Sequence, residues 1–231
     1  MFPWCSLRLM NCGKMNKTKL ILIIAFLAFT AVTFIQPVYP HEQFLQHAGT
    51  ILLLIPLFAD LVKDRMPMSA FVGILLFAVL HVIGARYIYS YVPYKEWGVS
   101  LGIVDADFFQ DTRNHYDRFV HFCFGVLLFP YLQYACKQWF NLKALPAVFM
   151  AWLIIQTGSM VYELFEWLLT IVMSPEQADN YNGQQGDEWD AQKDMVLAMM
   201  GSTLMAVYYF VKNMFRQGRW KTVLCPAENS F

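Results

Sequence analysis

Charge is scarce in this sequence. Only 15% of its 231 residues are Asp, Glu, Lys or Arg, while 58% are hydrophobic. Water-soluble domains carry about 25% charged residues, so a soluble globule is excluded. The charge that exists is balanced, with 17 basic and 17 acidic residues. No basic field for nucleic acid results. Cysteine is also sparse. None of Cys5, Cys12, Cys123, Cys136 and Cys225 forms a Cys-x-x-Cys pair or stands at zinc-finger spacing from a histidine. Cys123 and Cys136 lie in or beside an apolar run and read as packing residues. Glycine-rich phosphate loops, a Gly-x-Ser-x-Gly elbow and a His-Glu-x-x-His helix are missing. So is the Glu-x-x-His pair of di-iron bundles, because Glu166 stands where the histidine would follow Glu163. No lipidation motif or fixed-period repeat is evident.

What the sequence has in abundance is long apolar runs. Eighteen or so apolar residues with few charges read as a membrane span. Six can be drawn: 20–36, 44–62, 68–91, 117–136, 144–173 and 191–215. The fifth is longer than the roughly 30 Å hydrocarbon layer requires and is expected to tilt or protrude. These runs fill most of the chain, leaving no room for a separate soluble domain. The fold class is therefore all-α, a polytopic bundle of six transmembrane helices, with membrane lipids as its surroundings. The domain reading is a leader over 1–14, the membrane domain over 15–215 and a tail over 216–231. The leader, MFPWCSLRLMNCGK, is unlike the rest, and Met15 opens MNKTKLILIIAFLAF, an ordinary start for a bacterial inner-membrane protein. The first run is read as a retained helix, since Gln36 to Pro40 follow it instead of a small-residue cleavage site.

Basic residues set the expected orientation. Lys14, Lys17 and Lys19 precede the first run, Lys63 and Arg65 follow the second, Lys137 and Lys143 separate the fourth and fifth, and Lys212, Arg216, Arg219 and Lys221 follow the sixth. All fall on one side, and basic short loops stay cytoplasmic. The opposite loops, Glu96 to Asp117 and Glu176 to Asp190, are acidic. Both termini are thus expected in the cytoplasm of a bacterial inner membrane. Tyr87, Tyr89, Tyr91, Tyr94 and Trp97 read as an interfacial aromatic belt.

Charged groups inside spans cost about 2.5–3.5 kcal/mol each at mid-membrane, so they need explaining. His81 lies on the third run, Asp117, Arg118 and His121 on the fourth, Glu163 and Glu166 on the fifth, and Asp190 and Asp194 on the sixth. Asp117 and His121, Glu163 and Glu166, and Asp190 and Asp194 are each three or four apart and share a helix face. The topology carries all of them toward the outer end. The expected site is one polar cluster of His81, Asp117, Arg118, His121, Glu163, Glu166 and Asp194. Asp187 and Asp190 also suit a helix start, where acids favour the dipole. Three chemistries fit: a metal site, a proton relay, or a salt-bridge network. For a metal the candidate ligands are His81, His121, Glu163, Glu166 and Asp194, which suit zinc, manganese or iron. A divalent metal is permitted by this set and not demanded by it.

Four segments, HVIGARYIYSYVP, RNHYDRFVHFCFGVLL, YELFEW and GDEWDAQKDMVLAMMGS, resemble in this order the YjdF family of bacterial inner-membrane proteins over residues 15 to 215. That family has no established activity. A looser similarity is to VanZ-like membrane proteins, whose pattern is Asp-Lys/Arg-x-x-His, Glu-x-x-Gln and Asp-x-x-x-Asn-x-x-Gly. Asp117, Arg118 and His121 match the first part, Glu163 the second with Glu166 for glutamine, and Asp194 and Gly201 the third with Ala198 for asparagine. This resemblance implies that Asp117, Arg118, His121, Glu163, Glu166 and Asp194 form one site. Its leading function is action on a lipid-linked or envelope molecule, as an enzyme using general acid–base chemistry. A small transporter or proton-coupled channel is the alternative, though no broken helix is expected. A structural membrane partner is the third.

A reporter fused after Phe231 should be active only in the cytoplasm; periplasmic activity would refute the six-span topology. Removing residues 1–14 should leave membrane insertion unchanged, as read from a membrane-fraction blot.

Overall fold

The structure is a computed structural model and describes residues 16–105, 112–174 and 184–216. The leader over 1–14, the tail beyond Arg216 and three of the cysteines lie outside the described residues. Those described form eight helices and no strand. They are α1 Lys17–Thr33, α2 Pro40–Lys63, α3 Met68–Arg86, α4 Tyr94–Ser100, α5 Tyr116–Leu127, α6 Phe129–Trp139, α7 Ala144–Val172 and α8 Asp190–Arg216. Asn16 caps α1, its side chain accepting from the Thr18 N–H at 3.1 Å. Pro40 opens α2, where a missing N–H costs nothing.

Five spans are long and apolar enough to cross a membrane: α2, α3, α5 with α6, α7 and α8. With 17 residues, α1 reaches about 25 Å, less than the roughly 30 Å of a hydrocarbon core. The expected all-α polytopic bundle is therefore observed, with five full-length spans and a shorter α1. Large apolar side chains such as Phe44 (77% exposed) and Leu52 (68%) face outward around the bundle, a belt that suits lipid and not water.

Two features of the helices differ from expectation. The third helix stops at Arg86 and not at Tyr91, because Ile88 (φ 44°) and Tyr89 (φ 58°) turn through the left-handed region. The fourth span bends at Leu128, whose backbone stays in the helical region, so the run remains one span. Pro130 cannot donate a backbone hydrogen bond, which sets the bend between α5 and α6.

Among the described residues three apolar clusters form, and two of them join helices along the bundle. One joins α1, α2 and α3 around Ile23, Leu57, Phe71 and Ile74. The other joins α6, α7 and α8 around Phe129, Val148, Ile155 and Ala198. Cys123 and Cys136 are buried and unpaired, as packing residues would be. At the basic end Lys19 turns inward instead of lying free. Its Nζ reaches Asp60 at 2.5 Å, Asp64 at 2.8 Å and the Met66 carbonyl at 2.8 Å. Hydrogen bonding to Lys19 holds the Asp64 carboxyl below the usual carboxylate range.

The crossing that positions the end opposite the basic loops is α5 on α8. A Cβ on Gly125 would lie 2.3 Å from the Ala198 carbonyl oxygen, and one on Gly201 would lie 2.3 Å from the Phe122 carbonyl oxygen. Only hydrogen fits, so the two backbones touch. Small residues drive such close approaches in membranes, where no hydrophobic force separates helix from lipid.

Gly125→Ala and Gly201→Ala should each destabilise the protein by about 1–3 kcal/mol, the usual cost of overpacking. Gly158→Ala, whose Cβ would meet the Phe124 ring at 3.2 Å, should cost less. Thermal unfolding of the three variants in detergent checks the ranking; equal losses would contradict the crossing.

Candidate functional site

Seven residues above Gly201 stands Asp194, and one turn above Gly125 stands His121. The α5–α8 contact therefore fixes the distance between their side chains. Another turn away from the basic loops brings Asp117 onto the same face of α5. From α7, Glu163 completes the group. All four are buried: Asp117, His121 and Glu163 are each 7% exposed and Asp194 is 2%.

His121 Nε2 lies 3.7 Å from Asp117 Oδ1 and 3.5 Å from Glu163 Oε1. Donor atoms of Asp117, His121 and Asp194 all lie within 4.8 Å of one another. Glu163 Oε1 and Asp194 Oδ1 are buried without a hydrogen-bond partner. Tyr162 presents its ring to the His121 ring, with 5.8 Å between centroids.

A lattice of ion pairs caps this cluster. Arg118 pairs with Asp187 and, at 3.2 Å, with Asp190. Arg113 also pairs with Asp190 and donates to the Gln184 carbonyl at 2.6 Å. Lys193 reaches Asp187 at 2.5 Å. The hydrogen bonds from Lys193, the Trp189 N–H and Arg118 hold the Asp187 carboxyl far below its usual range. Asp187 and Asp190 thus pair with arginines as well as standing at a helix start. The loops at this end are stitched together here: Asn114 N–H donates to Gln185 Oε1 at 2.9 Å, and Gln185 Nε2 returns to the Asn114 carbonyl at 3.0 Å.

The structure brings together Asp117, His121, Glu163 and Asp194, but not all seven expected residues. Arg118 faces Asp187 and Asp190 in the cap. His81 stands apart, and its ring is fully used. Its Nε2 is 3.0 Å from the Gln46 carbonyl, which can only accept, so Nε2 carries the proton. Tyr89 then donates its hydroxyl to Nδ1 at 2.5 Å. No lone pair remains for a metal. Glu166 is half-buried one turn further out, facing a second pocket with Gln184, Glu188 and Asp190. His81 and Glu166 stand outside the Asp117–His121–Asp194 donor set, though Glu166 lies close enough to Asp117, Glu163 and Asp194 to interact electrostatically with them.

Sequence reasoning missed Arg113, whose signal was a lone arginine in an acidic loop. It also placed Tyr89 and Tyr94 in an interfacial belt. Tyr89 is 6% exposed and bound to His81, because the left-handed turn swings it inward. The Tyr94 hydroxyl accepts from the His115 N–H at 3.1 Å. Tyr91, 54% exposed, and Trp97, 39% exposed, fit the belt.

Two cavities flank the cluster. One, of about 310 Å³, is lined mostly by apolar side chains, among them Leu52, Leu53, Phe77 and Phe124. Asp117, His121, Ser159 and Tyr162 contribute its polar groups, along with His81 and Tyr89. The other, of about 330 Å³, is the acidic pocket that contains Glu163 and Glu166. The cluster is the wall between them.

No solved structure matches this chain. The inner membrane protein YjdF of Escherichia coli (strain K12) is 26% identical over 198 residues, which cover 82% of this chain and 88% of that protein. The VanZ-like similarity rests on motif spacing alone. Residues 18–214 match the family described as "Predicted membrane protein (DUF2238)", a stretch that holds every helix of the bundle except the first residue of α1 and the last two of α8. The protein is a multi-pass inner-membrane protein, and it belongs to this family.

Proposed function

We propose that this protein takes the apolar chain of a lipid-linked envelope molecule into the cavity beside α3 and works on the polar end with His121 and the neighbouring carboxylates. The observation that carries this reading is the cavity itself. Its walls are apolar, and its reactive groups, Asp117 and His121, belong to a buried cluster with oxygen atoms to spare. Ligand sites have this character: apolar walls that bury the ligand and a few polar groups that orient it. Leu52, 68% exposed, also lines the cavity, which supports an opening toward the bilayer. With the basic loops in the cytoplasm, the cluster lies toward the outer leaflet.

The chemistry is general acid–base catalysis. An imidazole and a carboxylate within reach of one bound group can take and return a proton, and each such group contributes typically 10²–10⁴-fold to rate. Asp117 and Glu163 flank the same nitrogen of His121 at 3.7 and 3.5 Å, so a substrate group entering between them would meet an imidazole and two carboxylates together. Arg113 and Arg118 occupy positions suited to a phosphate or carboxylate head group, although Asp187 and Asp190 now hold them. A transporter is the second reading, and the gathering of acids from three spans is the observation that favours it, because intramembrane carboxylates can serve as relay groups.

Lipids extracted from the purified protein and identified by mass spectrometry test the first reading. Wild-type protein should retain one class of lipid-linked molecule, and Leu53→Trp, which fills the cavity, should lose it. Retention equal to wild type in Leu53→Trp would sink the proposal. Glu163→Gln should keep the lipid and accumulate in membranes, yet abolish the phenotype that the gene supports. If Glu163→Gln instead abolishes proton-coupled flux of wild-type protein in liposomes, the transporter reading replaces this one. If it fails to accumulate, the cluster is structural.

A further inference from the structure

Asp117, Glu163 and Asp194 bring three carboxyl groups to one imidazole inside a membrane-spanning bundle. Uncompensated charge is costly there. Arg118 is committed to Asp187 and Asp190, and Arg113 forms an ion pair with Asp190. Protons or a cation must therefore balance the cluster, and distance separates the two.

A protonated carboxyl beside an imidazole makes a hydrogen bond of about 2.6–3.0 Å. The nearest approaches are 3.7 Å from His121 to Asp117 and 3.5 Å from His121 to Glu163, and neither qualifies as a hydrogen bond. Glu163 Oε1 and Asp194 Oδ1 are more than nine-tenths buried and have no hydrogen-bond partner. Two ligand atoms each about 2.1 Å from a tetrahedral metal stand about 3.4 Å apart. The 3.7 Å between His121 and Asp117 is near that value, and Asp194 offers an oxygen within 4.8 Å of both. The His121–Asp117 spacing is too long for a hydrogen bond and too short to hold a water between the two atoms.

We propose that Asp117, His121 and Asp194 bind one divalent first-row transition metal ion, with Glu163 beside the remaining coordination position. Imidazole with carboxylates suits Zn²⁺, Mn²⁺ or Fe²⁺, and no soft thiolate is present to select otherwise. Three protein ligands with one open position mark a catalytic and not a structural metal. A bound ion would neutralise the cluster and supply a Lewis acid at the end of the apolar cavity. Glu163 is then a proton acceptor beside the open position. The donors come from α5 and α8 alone, so the ligands are preset by the Gly125–Gly201 crossing.

This inference rests on the same site as the proposed function. The test uses Co²⁺ as the probe on full-length protein in detergent, after removal of native metal with a chelator. Wild-type protein should bind one Co²⁺ per chain, with visible d–d bands that Zn²⁺ displaces in one-to-one proportion. His121→Ala and Asp194→Asn should weaken binding by at least the roughly 10–100-fold that even loss of a supporting group costs. Glu188→Gln, an exposed acid in the neighbouring pocket, should bind as wild type. Binding that is equal in His121→Ala, Asp194→Asn and wild type overturns the inference. Should neither variant accumulate, the wild-type spectrum decides: displaceable d–d bands uphold the site, and the pale spectrum of hydrated Co²⁺ removes it. Metal bound without retained lipid leaves this inference standing and removes the lipid reading. Lipid retained without metal does the reverse.

Discussion

The bare contact of α5 on α8 is the constraint from which the polar end of this bundle follows. A side chain at Gly125 or Gly201 would meet a carbonyl oxygen of the other helix. With hydrogen at both places, the helices approach until their backbones touch. Residues one or two turns further out then face each other at a distance set by backbone and not by side-chain packing. That is why donor atoms of an imidazole on α5 and a carboxylate on α8 can stand within 4.8 Å of each other. In lipid, where helices gain little by hiding apolar surface, close backbone packing is a principal source of rigidity.

The two ends of the bundle treat buried charge differently. At the basic end, Lys19 is 2% exposed and spends its Nζ on Asp60, Asp64 and the Met66 carbonyl. Asp60 in turn accepts from the backbone N–H groups of Arg65 at 2.9 Å and Met66 at 2.7 Å. Those charges are paired and hydrogen-bonded, the condition under which burial is tolerated. At the other end, carboxyl oxygens of Glu163 and Asp194 are buried without partners. The same chain thus satisfies its charges where they are structural. The contrast marks the Asp117–His121–Glu163–Asp194 cluster as a place where carboxyl groups keep bonding capacity in reserve.

Much of this was legible in the sequence because membrane spans and intramembrane charge are both strong signals. Five apolar runs became full-length spans, and the pairing of Asp117 with His121 followed from helical spacing alone. Asp194 and Glu163 joined them because the alternation of spans brought their helix ends to one side. Other features depended on contacts that spacing does not encode. The sequence marks His81 as a polar residue in a span, but nothing in it says that the Gln46 carbonyl and the Tyr89 hydroxyl would use both ring nitrogens. Lys19 read as a flanking charge because its partners lie 41 and 45 residues away. Arg113 sat in a loop whose meeting with the Gln184 segment is a tertiary event. The bend at Leu128 was visible as Pro130 but was masked by the apolar run around it.

Strain near His81 completes the physical picture. Ile88 and Tyr89 both occupy the left-handed region, and Ile88 is β-branched, for which that region is poorly allowed. Such residues cost of order 1–3 kcal/mol each and persist only where surrounding structure demands them. Here the demand is visible. The turn folds the Tyr89 ring onto Gly84, where a Cβ would lie 2.6 Å from the ring, and brings the hydroxyl to His81. Gly49 makes the matching space on α2, since its Cβ would lie 2.9 Å from His81 Nε2. Two glycines and two strained residues therefore fix a single imidazole in one tautomer on the cavity wall. The opposite wall carries His121, whose neighbouring oxygens are not fixed by hydrogen bonds. One histidine is immobilised to shape the cavity, and the other is left with open valences at its end. A cavity built this way separates binding from chemistry: α2 and α3 provide the rigid side, and the α5–α7–α8 cluster provides the side that can react.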